Sequence, residues 1–484
     1  MYWPLNSFKP NEILVNMSDK RTLEPTFLRE YDIRGIIGPK FNKADFRSIG
    51  RGFGAILKEN NNNANSQPKV VVGYDGRLTS VDLSEALCGG LLDSGIDVIN
   101  IGCGPTPMLY FAAQRFCAQG GMMVTGSHNT SDYNGIKMVM NGKPFYGKDI
   151  QKLGLRIEDG NFTFGKGSKL NKVVENAYVQ RLLEDLQVGK EMRVAWDPGN
   201  GAAGEVLQLL IKGLPGQHFV INAEIDGKFP AHHPDPTIET NLNQLKVLVR
   251  ENNCDLGIGF DGDGDRIGVI DGKCRVLWGD QILVILAREV LSQKPKSPII
   301  VDVKASKIFF DEILKLGGVP VMAAAGHSLI KAKMAELESP LAGEMSGHIF
   351  FADKYYGYDD ALYAAIRLLS VLSNSETALS KMRDSFPKMM NTPELRFDCA
   401  DERKFNVIRE VHEGLNSIEN IKVSDIDGVR VETEYGWWLL RASNTQAALV
   451  ARCESETEEG LRRLKNDLSE HLIKSGIKPP SNFN

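Results

Sequence analysis

The sequence predicts three α/β domains with mixed sheets, followed by a C-terminal α+β domain. Three observations carry this reading. The chain has 484 residues, too many for one hydrophobic core, and that length suits three or four domains. Short apolar strands alternate with helical stretches over most of it, as in βαβ units. Beyond residue 388 the pattern changes to consecutive strands beside an amphipathic helix.

Residues 1–26 read as a leader, with Met17 an expected alternative start and residues 1–16 dispensable. Domains are expected at 27–170, 171–275, 276–388 and 389–484. In the first, Val70-Val71-Val72, Val98-Ile99 and Met122-Met123-Val124 are short apolar runs that suit buried strands. The segment near Asp82 to Ser94 reads as a helix, and Asn60 to Gln67 as a polar loop. The second domain repeats the pattern with Val194-Ala195-Trp196, a helix near Ala203 to Lys212, and Val220-Ile221. The third repeats it with Ile299-Ile300-Val301, a helix near Ile308 to Leu316, and Val319 to Met322. In the last domain Val429 to Glu432, Trp437 to Leu440 and Ala447 to Ala451 read as antiparallel strands. A closing helix near Glu456 to Lys474 carries Leu461, Leu464, Leu468 and Leu472 on one face, three and four residues apart.

Composition excludes several classes. Hydrophobic content of 42% and charged content of 25% fit soluble globular domains. A net charge of −5 leaves no global basic field for nucleic acid or an anionic membrane, so an anionic substrate needs local positive charge. The seven cysteines show no C-x-x-C pair and no zinc spacing, which points to a reducing cytoplasm. No apolar run approaches the roughly 18 residues of a membrane span, and no secretory signal is expected.

The densest chemistry lies in Asp261-Gly262-Asp263-Gly264-Asp265-Arg266, between apolar runs that read as two strands. Three carboxylates this close repel unless a hard divalent cation sits among them. Three protein oxygens leave positions of an octahedral Mg²⁺ shell open for water or phosphate oxygen. The spacing rejects an EF-hand, because Arg266 and Gly272 stand where glycine and a bidentate glutamate are required. A second loop, Thr125-Gly126-Ser127-His128-Asn129, follows an apolar strand and exposes a serine as a nucleophile or phosphate carrier would be. It is not an esterase elbow, since Thr125 and Asn129 replace the flanking glycines. Gly142 to Lys148 has P-loop spacing but ends in Asp149, where serine or threonine must bind metal.

Four motifs in order resemble the α-D-phosphohexomutases, and among them the bacterial phosphomannomutase/phosphoglucomutase enzymes. They are the serine loop with Asp132-Tyr133-Asn134-Gly135-Ile136-Lys137, the aspartate loop, Gly343-Glu344-Met345-Ser346-Gly347-His348, and Arg441-Ala442-Ser443-Asn444-Thr445. The resemblance runs from about Phe27 to about Lys474. It implies domains arranged around a central cleft and an isomerase that moves a phosphoryl group between the 1 and 6 positions of mannose and glucose phosphates. The route is a phosphoserine and a hexose 1,6-bisphosphate. It implies Mg²⁺ on Asp261, Asp263, Asp265 and phosphorylated Ser127, with glucose or mannose 1,6-bisphosphate as activator.

The resemblance also implies catalytic parts for Ser127, Lys137, Arg34, Arg266, His327 and His348. Lys304, Glu344, Ser346 and His348 would contact the sugar phosphate. Arg441, Ser443, Asn444 and Thr445 would anchor its non-reacting phosphate. A desolvated Lys137 is expected to fall in pKa toward the working range. Thr130 departs from the family, which commonly has proline there. His232 and His233 are expected to be structural. The expected partners are hexose phosphates, with no nucleic acid or membrane, for a cytoplasmic monomer. The rival readings are a phosphoglucosamine mutase, a metal-dependent sugar phosphatase and a non-catalytic sugar-phosphate sensor.

Overall fold

The computed structural model describes residues 20–60, 67–416, 418–443 and 447–479. Met17 and most of the Asn60 to Gln67 loop lie outside them. Four sheets form, of seven, five, four and six strands. The first three share one plan. In the first, Lys69–Tyr74 pairs in parallel with Asp97–Cys103 on one side and Gly120–Val124 on the other, and Tyr133–Met140 then adds antiparallel to Gly120–Val124. In the second, Arg193–Asp197 lies in parallel between Gln217–Val220 and Leu256–Phe260, with Ile267–Asp271 antiparallel beyond. In the third, Pro298–Asp302 lies in parallel between Val319–Ala323 and Leu341–Gly343, with Ile349–Phe351 antiparallel beyond. Each unit therefore ends its parallel run in a hairpin. The three hairpin loops are the serine loop, the aspartate loop and the Glu344 loop.

The parallel strands read as continuous apolar runs because helices cover both faces. Val70, Val71, Val72, Ile299, Ile300 and Val301 are all fully buried. The helix Gly279–Gln293 is buried nearly all round and joins the cores of the second and third units.

The C-terminal sheet is antiparallel around Gly436–Ala442 and Ala448–Ser455. The helices Asp401–Leu415 and Glu458–Lys474 pack on it through Val407, Val411, Leu415, Leu464, Leu468 and Leu472. Three strands were not anticipated: Met390–Asn391, Leu395–Asp398 and Lys422–Ser424. This domain meets the third through buried polar groups. Glu454 Oε1 accepts from Ser306 Oγ, Lys307 N and Trp437 Nε1, each at 2.9 Å. Arg430 Nη1 donates to the carbonyls of Val303 at 2.6 Å and Ala305 at 2.8 Å, with its guanidinium 3.7 Å above the Trp437 ring. Among the described residues no helix is long and apolar enough to cross a membrane.

Candidate active site

Ser127 is buried, not exposed as its loop suggested, and sits at φ 49°, a conformation that costs an L-residue strain. Arg77 holds it there. This buried guanidinium donates to the carbonyls of Ser127 and Asn129 at 2.6 Å each, to Tyr133 at 3.0 Å, and to Thr130. Asp75 anchors Arg77 Nε at 3.1 Å and accepts from Gly126 N at 3.0 Å and Thr125 Oγ1 at 2.8 Å. Residue 126 must be glycine for this, since a Cβ would lie 2.4 Å from the Arg77 guanidinium carbon. Neither Asp75 nor Arg77 was singled out from the sequence. A signal existed: Lys69–Tyr74 runs into Asp75-Gly76-Arg77 much as Leu256–Phe260 runs into Asp261-Gly262-Asp263.

Asp261, Asp263 and Asp265 are fully buried, with carboxylate oxygens within 4.8 Å of one another. Ser127 Oγ donates to Asp261 Oδ2 at 3.0 Å. Gly262 permits this meeting of loops, because a Cβ there would lie 2.4 Å from the Ser127 carbonyl oxygen. Gly264 takes φ 70°, a glycine conformation. Burial, reinforced by Asp263 and Asp265, pushes the Asp261 carboxyl well above the usual range. Asp263 Oδ1 is buried without a hydrogen-bond partner. Three mutually repelling carboxylates, two of them with an orphaned oxygen, fit a hard divalent cation.

One expectation is overturned. Lys137 Nζ lies 2.8 Å from Asp263 Oδ2 and also contacts Asp265 Oδ2. Burial opposes its charge, but Asp263, Asp265 and Asp261 outweigh burial and raise its pKa. Lys137 is a fixed cation in this arrangement, not a base poised near neutrality.

The third hairpin completes the cluster. Glu344 Oε2 lies 3.0 Å from His348 Nδ1, and Glu344 Oε1 accepts from Gly326 N at 2.7 Å. Burial would raise the Glu344 pKa, but His348 and Lys304 bring it down to about 2. Burial would lower that of His348, but Asp265 carries it up to about 9. Ser346 Oγ sits 3.2 Å from His348 Nδ1, and Arg266 Nε 3.4 Å from His348 Nε2. His327 opens the helix His327–Leu337 with its ring 5.7 Å from that of His348. Burial and the nearby Lys331 push the His327 pKa well down. Arg34 Nη1 donates to Asn129 Oδ1 at 2.6 Å, beside the serine. Lys304 Nζ lies 3.4 Å from Asp302 and 3.7 Å from Glu394.

Arg441 is buried, its Nε donating to Asp427 Oδ2 at 2.9 Å. Asp427 Oδ2 also accepts from Ala325 N at 3.0 Å, which docks the C-terminal loop on the approach to His327. Lys404 Nζ holds the Ser443 carbonyl at 2.6 Å. Asn444 and Thr445 lie outside the described residues. His128, passed over in the sequence, has Nδ1 3.3 Å from Ser127 Oγ, and burial with Arg266 and Arg34 pushes its pKa well down. His232 Nε2 pairs with Asp197 Oδ2 at 2.9 Å. A cavity of about 910 Å³ lined by Tyr110, Cys117, Lys331 and Tyr356 holds none of the candidate residues.

Four family models match in order. They are phosphoglucomutase/phosphomannomutase alpha/beta/alpha domain I over residues 26–163, domain II over 176–274, domain III over 278–390, and the C-terminal domain over 394–471. The chain belongs to the phosphoglucomutase/phosphomannomutase family. Within this family, a phosphomannomutase/phosphoglucomutase of Pseudomonas putida is 40% identical over 452 residues, covering 93% of this chain and 96% of its own. A phosphoglucomutase of Neisseria gonorrhoeae is 37% identical over 441 residues, covering 90% and 95%. The crystal structure of a phosphoglucomutase/phosphomannomutase family protein from Burkholderia thailandensis superposes with a TM-score of 0.87 at 37% identity, covering 94% of this chain and 98% of that one.

Proposed function

We propose that this protein is an isomerase that moves a phosphoryl group reversibly between the 1 and 6 positions of mannose and glucose phosphates. The observation that carries the reading is the meeting of three hairpin loops. A strained, buried serine, three buried carboxylates and a Glu344–His348 pair come together from three separate units. Ser127 carries the phosphoryl group. It passes to the free hydroxyl of the bound sugar phosphate, giving a hexose 1,6-bisphosphate. The bisphosphate turns around, and its other phosphate returns to Ser127 Oγ.

A divalent cation, Mg²⁺ for this all-oxygen donor set, would be held by Asp261, Asp263, Asp265 and a phosphoryl oxygen on Ser127, where it would offset charge on the transferring group. Lys137 Nζ lies beside it, on Asp263 Oδ2 and Asp265 Oδ2. Arg34 sits by the serine loop, ready to bind phosphoryl oxygens. His327, kept neutral with a partner-free Nδ1, can accept a proton, while His348 is kept protonated and Arg266 packs against it. Pairs of groups whose environments push their pKa values apart suit acid and base tasks. Glu344 and Ser346 receive sugar hydroxyls, and Lys304 the substrate phosphate. Arg441, Ser443, Asn444 and Thr445 form the anchor that takes whichever phosphate is not reacting. The reading includes a monomer, a cytoplasmic location, a hexose 1,6-bisphosphate activator and domain limits near residues 170, 275 and 388.

The test is ³¹P NMR of the protein with Mg²⁺ and a trace of glucose 1,6-bisphosphate, given mannose 1-phosphate or glucose 1-phosphate in separate tubes. Conversion of both to the 6-phosphates without free phosphate is expected. Turnover of only one sugar narrows the substrate. Free phosphate alone makes the protein a phosphatase, and no change in either tube removes this reading.

A further inference from the structure

Asp265 faces two ways. Its Oδ2 meets Lys137, while its Oδ1 points to a pocket of side chains that the aspartate loop does not contribute. His348 Nε2 lies 3.2 Å from Asp265 Oδ1 and 3.9 Å from Asp359 Oδ2, and His327 Nδ1 lies 3.7 Å from Asp359 Oδ2. Asp265 and Asp359 are fully buried, and His327 is 8% exposed. Asp265 Oδ1, His327 Nδ1 and Asp359 Oδ2 all lack a hydrogen-bond partner. Buried polar atoms are ordinarily paired, so these three orphans call for an explanation, and the ligand atoms of Asp265, His348 and Asp359 lie within 4.8 Å of one another.

We propose that Asp265 Oδ1, His348 Nε2 and Asp359 Oδ2 form a second cation site, for a divalent transition metal of the zinc class with its fourth position open to water, beside the three-aspartate cluster. Donors around a tetrahedral zinc with bonds of about 2.0–2.1 Å stand about 3.3 Å apart, close to the 3.2 and 3.9 Å that separate His348 Nε2 from the two carboxylate oxygens. An imidazole nitrogen and two carboxylate oxygens with an open fourth position suit zinc, whereas the neighbouring all-oxygen cluster suits Mg²⁺. The outer partners are in place. His348 Nδ1 faces Glu344 Oε2 at 3.0 Å, and Asp359 Oδ1 accepts from Lys331 Nζ at 2.9 Å. A ligating histidine characteristically sets its other ring nitrogen on a carboxylate in this way. An ion here occupies His348, so it blocks turnover even when Mg²⁺ is saturating. That last consequence rests on the mutase reading; the binding itself does not.

Cobalt(II) added to the Mg²⁺-saturated protein is the probe. The expected result is the intense visible absorption of four-coordinate Co²⁺, titrating to one equivalent, displaced by Zn²⁺ and resistant to excess Mg²⁺. Asp359→Asn is expected to weaken Co²⁺ binding by about 10–100-fold with Mg²⁺ binding unchanged. X-ray absorption at the zinc edge of the wild-type protein should show imidazole scattering, and this decides the matter if the variant does not fold. A weak six-coordinate cobalt spectrum abolished by Mg²⁺, or an oxygen-only zinc shell, overturns the site. The four-coordinate spectrum in a protein without mutase activity would keep the site and remove only the inhibition.

Discussion

Ser127 owes its backbone conformation to one arginine. Arg77 gathers carbonyls from four loop residues, which a planar fork can do and an ammonium cannot. Arg77→Lys is therefore expected to lower kcat by about 100-fold with little change in KM, read from steady-state rates; an unchanged kcat would show that the loop holds itself. Ser127→Ala should abolish turnover and still bind glucose 1,6-bisphosphate in calorimetry. Ser127 and the three aspartates were legible because each lies in a short local motif after an apolar strand. Asp75 and Arg77 were not, since their contacts lie about 50 residues away and depend on the parallel pairing of Lys69–Tyr74 with Gly120–Val124. The Lys137 expectation failed for a related reason. Burial can be guessed from an apolar strand, but the carboxylates that reverse its effect come from another domain.

Elements differ in how openly the sequence declares them. The leucine stripe of Glu458–Lys474 is unmistakable, and Leu468→Ala should cost about 2–5 kcal/mol of stability in urea unfolding, because Leu468 is fully buried. The helix Asp401–Leu415 was missed although Lys404, Val407, Val411 and Leu415 repeat at three and four; its many charges mask the stripe. The short strands at 390–391 and 422–424 are too brief to carry a pattern, and Leu395-Arg396-Phe397-Asp398 alternates over only four residues. Asp302 ends the strand Pro298–Asp302, where burial, with Glu344 adding, pushes its carboxyl up to about 6. The unfolded value is about 3.9, so the folded state binds the extra proton between those values and stability falls as pH rises through that window. Asp302→Asn should thus gain on the wild type from pH 4 to pH 7, on the order of 1–3 kcal/mol. Equal pH slopes in urea titrations would contradict this.

At the scale of the molecule, the α/β plan and the change of character near the C-terminal domain were readable from the alternation of strands and helices, while the way the domains lock together was not. Glu454 and Arg430 are charged residues in strands, which the sequence alone would place facing solvent. Instead they close the seam between the last two domains. Glu454→Ala strands three donors, which should cost about 3 kcal/mol or more and let the C-terminal domain melt first, as a separate calorimetric transition. A single unshifted transition would show that the seam adds little. The repeated plan of the first three sheets bears on descent. A symmetric trimer of one such unit would present three copies of the same loop around its axis, and any substitution would appear three times at once. Covalent fusion lifts that restriction. Each hairpin could then diversify alone, one toward a serine, one toward carboxylates and one toward a glutamate and histidine, while the inherited frame kept all three aimed at one point.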